Sequence, residues 1–318
     1  MFTENAGEME TPYKAGFVTI VGKPNVGKST LMNHLIGQKI AITSYKPQTT
    51  RTTIRTIYTS EKGQIVFLDT PGVHKATTKL GKYMDKAVES TLKEVDLILW
   101  LVEPKEQISE EDRMVLALLA KAKAKKLIVI TKMDTVKKAQ LLPVMDLYAR
   151  EWKKCTGENA PEMIPVSAQT GMNLDEVRSL IYAALPEGEP FYDEDMVTTQ
   201  TEREITEEIV REKALRLLQE EVPHGIAVTV NTMKWRKSKS GDEICDIDAD
   251  IVCEKDSHKA IIIGKGGSTL KKIGSAARVD IEEMIGTRVN LKLFVKVRRD
   301  WKDSEGSIRT FGYDEKKL

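Results

Sequence analysis

Gly22-Lys23-Pro24-Asn25-Val26-Gly27-Lys28-Ser29 is a G-x-x-x-x-G-K-S run between an apolar stretch ending at Val21 and an amphipathic one beginning near Leu31. That spacing suits a nucleotide's phosphates. Glycines let backbone N–H groups curl round the oxygens, and a following helix points its positive end at them. Lys28 would neutralise the β and γ phosphates, and the Ser29 hydroxyl would ligate Mg2+. Gly22, Asn25, Val26, Gly27 and Thr30 complete the expected phosphate contacts. Asp69-Thr70-Pro71-Gly72 follows the apolar run Ile65 to Leu68. There Asp69 can hold a Mg2+-bound water, and the Gly72 N–H can meet the γ-phosphate.

Two further strand ends carry base-reading chemistry. Thr131-Lys132-Met133-Asp134 follows Leu127 to Ile130. A carboxylate at Asp134 can accept from guanine N1–H and the exocyclic amine, a pair adenine does not offer, while the Lys132 stem covers the base. Ser167-Ala168 follows the run ending at Val166, where a backbone amide could meet guanine O6. Each short match is weak alone; their succession at consecutive strand ends is specific.

A different chemistry lies near the other end. Gly264-Lys265-Gly266-Gly267 is a Gly-x-x-Gly turn between an apolar helical segment and a basic one with Lys271, Lys272 and Arg278. Such a turn lets a sugar-phosphate backbone approach, and the flanking helix and strand form a groove for about four unstacked bases. A helix-turn-helix with a solvated basic face is the alternative.

The elements that must position these residues differ between the two halves. Phe17 to Val21, Ile65 to Leu68, Leu97 to Val102, Leu127 to Ile130 and Met163 to Val166 are short, nearly all-apolar runs. They predict strands covered on both faces, with helices between them, in a doubly wound α/β sheet over residues 1–185. A Pro- and Gly-bearing linker follows at 186–204. Residues 205–318 predict a second, smaller α+β domain in the order αββααβ. Its parts are a helix Ile205 to Leu218 with Leu217 on the apolar stripe, strands near Ile226 to Val230 and Cys245 to Ile251, a hairpin loop Lys234 to Gly241, two helices about the glycine turn, and a strand Leu291 to Val297.

Composition agrees. The 318 residues carry 49 Lys and Arg against 48 Asp and Glu, with 41% hydrophobic residues, which excludes disordered and collagen-like classes. Between Lys255 and Lys302 there are 12 Lys and Arg and 5 Asp and Glu, a charge of +7, so the remainder of a chain of formal charge +1 carries −6. A basic block on an acidic body is a distribution that meets nucleic acid. No apolar run approaches the length of about 20 residues of a membrane span, and no signal peptide is visible. Three scattered cysteines argue against a disulfide framework or zinc site. The expectation is a soluble cytoplasmic protein.

The four strand-end motifs resemble those of translation-factor-class GTPases, and the αββααβ unit with its Gly-x-x-Gly resembles a bacterial-type KH domain. With Pro47-Gln48-Thr49-Thr50-Arg51, Asp69 to His74 and Glu207 to Lys213 added, the chain is similar to the Era family of GTPases over nearly its whole length. The resemblance implies a P-loop GTPase sheet joined to a KH domain, GTP and GDP with Mg2+ as cofactors, and GTP hydrolysis. It makes Thr50 the threonine that closes onto Mg2+ and the γ-phosphate, with Thr49 as the alternative. Lys28, Thr50 and Gly72 become the catalytic candidates, and Ser29, Thr50 and Asp69 the metal ligands. Val73 stands where Ras-like enzymes carry a water-orienting Gln, so intrinsic hydrolysis is expected to be slow. Asn25 matches potassium-stimulated members, in which it helps hold K+; a simple loop cap is the other reading. Gly264, Lys265, Gly266, Gly267, Lys271 and Lys272 would contact RNA. The implied partners are the 3′ end of 16S ribosomal RNA and the 30S subunit, with peripheral contact at the inner face of the cell membrane left open. Two positions depart from the family. Thr131 replaces the Asn that ties the base loop to the phosphate loop, for which weaker nucleotide affinity is expected, and Glu204 replaces an aromatic residue.

Overall fold

The computed structural model describes residues 12–38, 49–73 and 75–317. Pro47, Gln48 and His74, singled out in the sequence, lie outside the described residues. The first half runs β1 (Lys14–Val21), α1 (Lys28–Ile36), β2 (Ile54–Ser60), β3 (Gly63–Asp69), α2 (Lys79–Thr91), β4 (Leu97–Val102), α3 (Glu110–Leu119), β5 (Lys125–Ile130), α4 (Leu141–Thr156), β6 (Met163–Pro165) and α5 (Leu174–Ala184). These strands form one sheet of order β2-β3-β1-β4-β5-β6. All neighbours are parallel except β2 and β3. The apolar runs are buried on both faces, as parallel strands under two helical layers must be. One core layer contains Leu31, Leu35, Val177 and Ile181, and the other Trp100, Val115, Tyr148 and Trp152.

Chain order reverses at β1, whose neighbours are β3 and β4. A crevice opens at such a switch point beyond the strands' carboxyl ends, and the Gly22 to Ser29 loop leaves β1 there. The edge strand β2 was not legible, because Ile54-Arg55-Thr56-Ile57-Tyr58-Thr59-Ser60 has neither a continuous apolar run nor strict alternation. It is held by the turn into β3 and by the close start of β3 beside β1. A Cβ at Gly63 would stand 1.9 Å from the Lys14 carbonyl oxygen, so glycine is required.

The second half runs α6 (Glu202–Leu217), β7 (Ala227–Lys237), β8 (Glu243–Cys253), α7 (Asp256–Ile263), α8 (Ser268–Ile285), β9 (Arg288–Val297) and α9 (Glu305–Thr310). Its sheet has the order β7-β8-β9, with β8 and β9 parallel. Ile209, Val210 and Ala214 of α6 and Ile273, Ala277 and Ile281 of α8 pack on Val228, Ile247, Ile251 and Val289. The αββααβ order is as expected, with two corrections. Leu217 is 41% exposed and Leu218 turns inward instead, because the helix ends there. The Lys234 to Lys237 stretch belongs to β7, paired with Glu243 to Asp246, so the hairpin loop is shorter than its charge pattern suggested.

The connection between the halves is pinned to the first sheet. Buried Gln64 donates from Nε2 to the Tyr192 carbonyl (2.8 Å) and accepts from the Phe191 and Tyr192 N–H groups (2.7 and 3.0 Å). Further along, Ile57 N–H donates to Val197 O (2.9 Å) and Thr199 N–H to Arg55 O (3.3 Å), extending β2 outward. Glu204 caps the helix that follows: its carboxylate accepts from Thr201 N–H (2.8 Å) while Thr201 Oγ1 accepts from Glu204 N–H (3.3 Å).

Ile273 is fully buried in the second core, which shares no residue with the layers around the first sheet. Ile273→Ala should cost about 2–5 kcal/mol of the second unit's stability in urea unfolding followed by circular dichroism. Nucleotide binding by the first unit should survive at urea concentrations that unfold the second.

Candidate functional site

Three oxygens converge at the carboxyl end of β3. Ser29 Oγ donates to Asp69 Oδ2 (3.0 Å), Thr50 Oγ1 donates to the same oxygen (3.0 Å), and the two hydroxyls are 3.2 Å apart. Asp69 is buried, and its Oδ1 has no hydrogen-bond partner among the described residues. Burial pushes its carboxyl above the usual range, against the pull of Lys28, Thr50 and Ser29. A hard-oxygen cluster with an orphaned carboxylate oxygen fits Mg2+, which would supply charge neutralisation to bound phosphates. Of the two threonines offered by the sequence, the structure brings Thr50 to this cluster.

Lys28 Nζ lies beside it, donating to the carbonyls of Gly22 (3.2 Å) and Lys23 (3.0 Å). Burial lowers its ammonium to about 8, only partly countered by Asp69. A buried cation with neutral partners is where an anionic phosphate would be most stabilised. Gly72 sits over the loop, where a Cβ would be 3.1 Å from Lys28 Nζ. Gly27, with φ 107°, leads into α1. Val26 is buried, and Thr30 stands exposed on the first turn of the helix. Val73 is buried, with its N–H donating to Gly22 O (3.2 Å).

The candidate base-reading residues also meet. The Thr131 hydroxyl donates toward Val26 O (2.9 Å) and Val102 O (3.1 Å), so threonine still ties this loop to the phosphate loop, with one proton shared between two carbonyls. Lys132, at φ 56°, donates to Asn25 O (2.8 Å). Asp134 is exposed, and its Oδ1 accepts from Ser167 Oγ (2.5 Å), leaving the other oxygen to face a base. This contact of Ser167 was not anticipated; only the fold shows a hydroxyl beyond the neighbouring strand β6 reaching Asp134. Ser167 N–H is engaged with Met172 O (3.2 Å), so the amide that suits guanine O6 is that of Ala168.

The sequence also gave no sign of how this site touches the second unit. Arg51, next to Thr50, is 2% exposed. Its Nη1 donates to Ile226 O (2.6 Å), its Nη2 to His224 O (3.3 Å), and the guanidinium lies 5.7 Å from the Trp301 ring centroid. From the other side Arg211 of α6, itself paired with Glu208, donates to Thr49 O. Below them α2 packs Leu80, Tyr83 and Met84 on Ala227, Val252, Trp301 and Tyr313. Lys79 N–H donates to Asp303 (3.0 Å), and Lys86 pairs with Glu315 (2.7 Å).

The glycine turn stands between α7 and α8. Gly264 has φ 72°, and a Cβ there would lie 2.3 Å from Thr269 Oγ1, so this position admits glycine alone. Lys265, Gly266, Lys271 and Lys272 are exposed and Gly267 opens α8. Ile261, at the end of α7, is 50% exposed, an apolar surface beside the turn on which a base can lie.

A family model described as a 50S ribosome-binding GTPase matches residues 17–132, and one described as a KH domain matches residues 221–302. The GTPase Era of Clostridium botulinum (strain Eklund 17B / Type B) is 46% identical over 304 residues, 96% of this chain and 100% of its own length. That of Alkaliphilus metalliredigens (strain QYMF) is 48% identical over 302 residues, 95% of this chain and 99% of its own. Among solved structures, Era in complex with MgGDPNP and nucleotides 1506–1542 of 16S ribosomal RNA superposes with a TM-score of 0.88 at 38% identity, covering 95% of this chain and 99% of that one. A point variant of Aquifex aeolicus Era bound to GDP·AlF4− gives 0.87 at 38% identity, covering 94% and 99%.

Asp134→Asn should shift base preference from guanine toward xanthine, because half of the acceptor becomes a donor. Ser167→Ala, removing the hydroxyl that orients Asp134, should weaken GDP binding by about tenfold while keeping guanine over xanthine. Competition titrations with GDP and XDP read both effects.

Proposed function

The chain belongs to the Era family of GTPases, and on that premise we propose that it is a GTP-hydrolysing switch that controls how its KH domain meets the 3′ end of 16S ribosomal RNA during 30S assembly. One observation carries the coupling: Thr50 and Arg51 are consecutive residues, the first in the oxygen cluster with Ser29 and Asp69, the second in the main-chain carbonyls that precede β7. Lys28, with Gly72 above it, holds the β and γ phosphates. Ser29, Thr50 and Asp69 hold Mg2+. Thr131, Lys132, Asp134 and the Ala168 amide hold guanine. Thr50 closing on a γ-phosphate draws Thr49 and Arg51 with it and reshapes their grip on the second unit.

RNA lies along the Gly264 to Gly267 turn, with Lys265, Lys271 and Lys272 on phosphates. The large-subunit description of the broader GTPase family belongs to the first unit alone; the small-subunit assignment follows the relative solved with 16S RNA. The protein works in the cytoplasm, where that RNA is assembled. Among the described residues no helix is long and apolar enough to cross a membrane. Peripheral contact at the inner face of the cell membrane is a separate reading that co-sedimentation with anionic vesicles tests. Asn25, at φ 63° and exposed in the loop, is the candidate K+ ligand, its main-chain carbonyl oxygen engaged by Lys132.

The deciding measurement is RNA affinity with GDP and with a non-hydrolysable GTP analogue, using the 3′-terminal segment of 16S RNA. The two values should differ by at least about fivefold, a coupling of roughly 1 kcal/mol, and Arg51→Ala should bring them together. Equal affinities in the parent protein would reject the switch. Lys265 and Gly266 both changed to Asp should lower affinity for single-stranded RNA by at least about tenfold without affecting GTP binding. Replacing K+ by Na+ should slow hydrolysis severalfold, and Asn25→Ala should abolish that difference.

A further inference from the structure

Glu103, just beyond β4, faces three ammonium groups. Its Oε1 lies 2.5 Å from Lys132 Nζ; its Oε2 lies 3.2 Å from Lys23 Nζ and 3.0 Å from Lys105 Nζ. The side chain is only 14% exposed, so these pairs are less screened than surface ones. Burial acts to raise its carboxyl, but the hydrogen bonds from Lys132 and Lys105 and the charges of Lys132 and Lys23 outweigh it and hold it at about 2. Lys23, within the phosphate loop, is anchored further on buried Asp112 (3.0 Å), which also accepts from Ser109 (2.7 Å) and Tyr148 (3.3 Å).

The cluster lies where the chain needs it. Lys132 has φ 56° and Asn25 has φ 63°, backbone states that non-glycine residues hold only when their surroundings impose them. The two meet through Lys132 Nζ and Asn25 O (2.8 Å). Among the described residues, the other hydrogen bond between the loops is the single Thr131 proton, divided between Val26 O and Val102 O. A neutral hydroxyl bond so divided is weaker than an undivided one from an ammonium that a carboxylate also holds.

We propose that Glu103 is a positioning residue that clamps the base-recognition loop onto the phosphate loop through Lys132 and Lys23, and so sets how long a guanine nucleotide stays bound. The inference rests on the guanine-site reading above. It places Glu103 outside contact with the nucleotide and has it act through the two lysines.

The test is the dissociation rate of a fluorescent GDP from the full chain, in the parent, Glu103→Gln, and Glu103→Gln combined with Thr131→Asn. Failure of the parent to bind GDP would sink the guanine-site reading itself. Given binding, Glu103→Gln should release GDP about tenfold faster. Adding Thr131→Asn, whose amide offers two N–H donors where the hydroxyl offers one, should recover at least about threefold of that loss. Release within twofold of the parent in Glu103→Gln overturns the clamp. So does acceleration that Thr131→Asn leaves untouched, since a merely structural role would not respond to a new tie between the loops. Should Glu103→Gln lower the melting temperature, Glu103→Asp keeps the charge and withdraws it by one methylene. It should accelerate release by about threefold, with the same rescue.

Discussion

Thr50 and Arg51 are joined by one peptide bond, which fixes their Cα atoms about 3.8 Å apart. The hydroxyl of the first is 3.0 Å from Asp69, and the guanidinium of the second is 2.6 Å from the Ile226 carbonyl. Two hydrogen bonds on the Arg51 guanidinium limit the slack between these contacts. A shift of Thr50 by an ångström moves the Arg51 backbone with it, so the Arg51 side chain must re-orient or its hydrogen bonds must change. The surrounding structure is arranged about this pair. Arg211 holds the preceding carbonyl of Thr49, Trp301 lies over the guanidinium and donates to Gly225 O (2.9 Å), and the connection between the halves runs along β2, which starts three residues after Arg51.

The energetics suit a switch better than a rigid joint. Arg51 is buried, yet among the described residues its guanidinium donates to main-chain carbonyls and to no carboxylate, and its Nε has no partner. A charge taken from water and only partly repaid contributes little net stability, although removing its carbonyl partners would cost several kcal/mol. The apolar contact beneath, Leu80, Tyr83 and Met84 against Ala227, Val252, Trp301 and Tyr313, is far smaller than either core. Ligand-induced differences of a few kcal/mol can then shift its equilibrium, whereas the two cores stay intact.

The protein uses one device twice with different electrostatics. Gly27 leads into α1 and Gly267 into α8, each placing backbone N–H groups and a helix dipole where phosphate oxygens can approach. The first turn carries Lys28, buried and with its ammonium lowered to about 8. The second carries Lys265, exposed to solvent. A desolvated lysine rewards one well-placed anion strongly and resists screening. A solvated one attracts any phosphate and weakens with salt. The buried turn suits a small ligand that must be told from its hydrolysis product, and the exposed one a long polymer.

Most of the candidate residues were legible in residue order. The Gly22 to Ser29 spacing, Asp69 to Gly72, Lys132 to Asp134 and the Gly264 to Gly267 turn are local. Steric freedom at glycine, strand ends set by apolar runs, and helix starts depend on neighbours within a few residues, so composition and spacing suffice to find them. The αββααβ order followed from the same local periodicities. What the chain order did not contain is which distant groups meet. The polar edge strand β2 exists because β3 offers it a ladder. Ser167 orients Asp134, Glu103 gathers Lys23, Lys105 and Lys132, and Arg51 finds the Ile226 carbonyl 175 positions away. These pairings are chosen by the packing of two sheets and by the burial of a few charges that must then find partners. Residue types alone do not name a partner; only the closed structure, which removes water from those groups, does so.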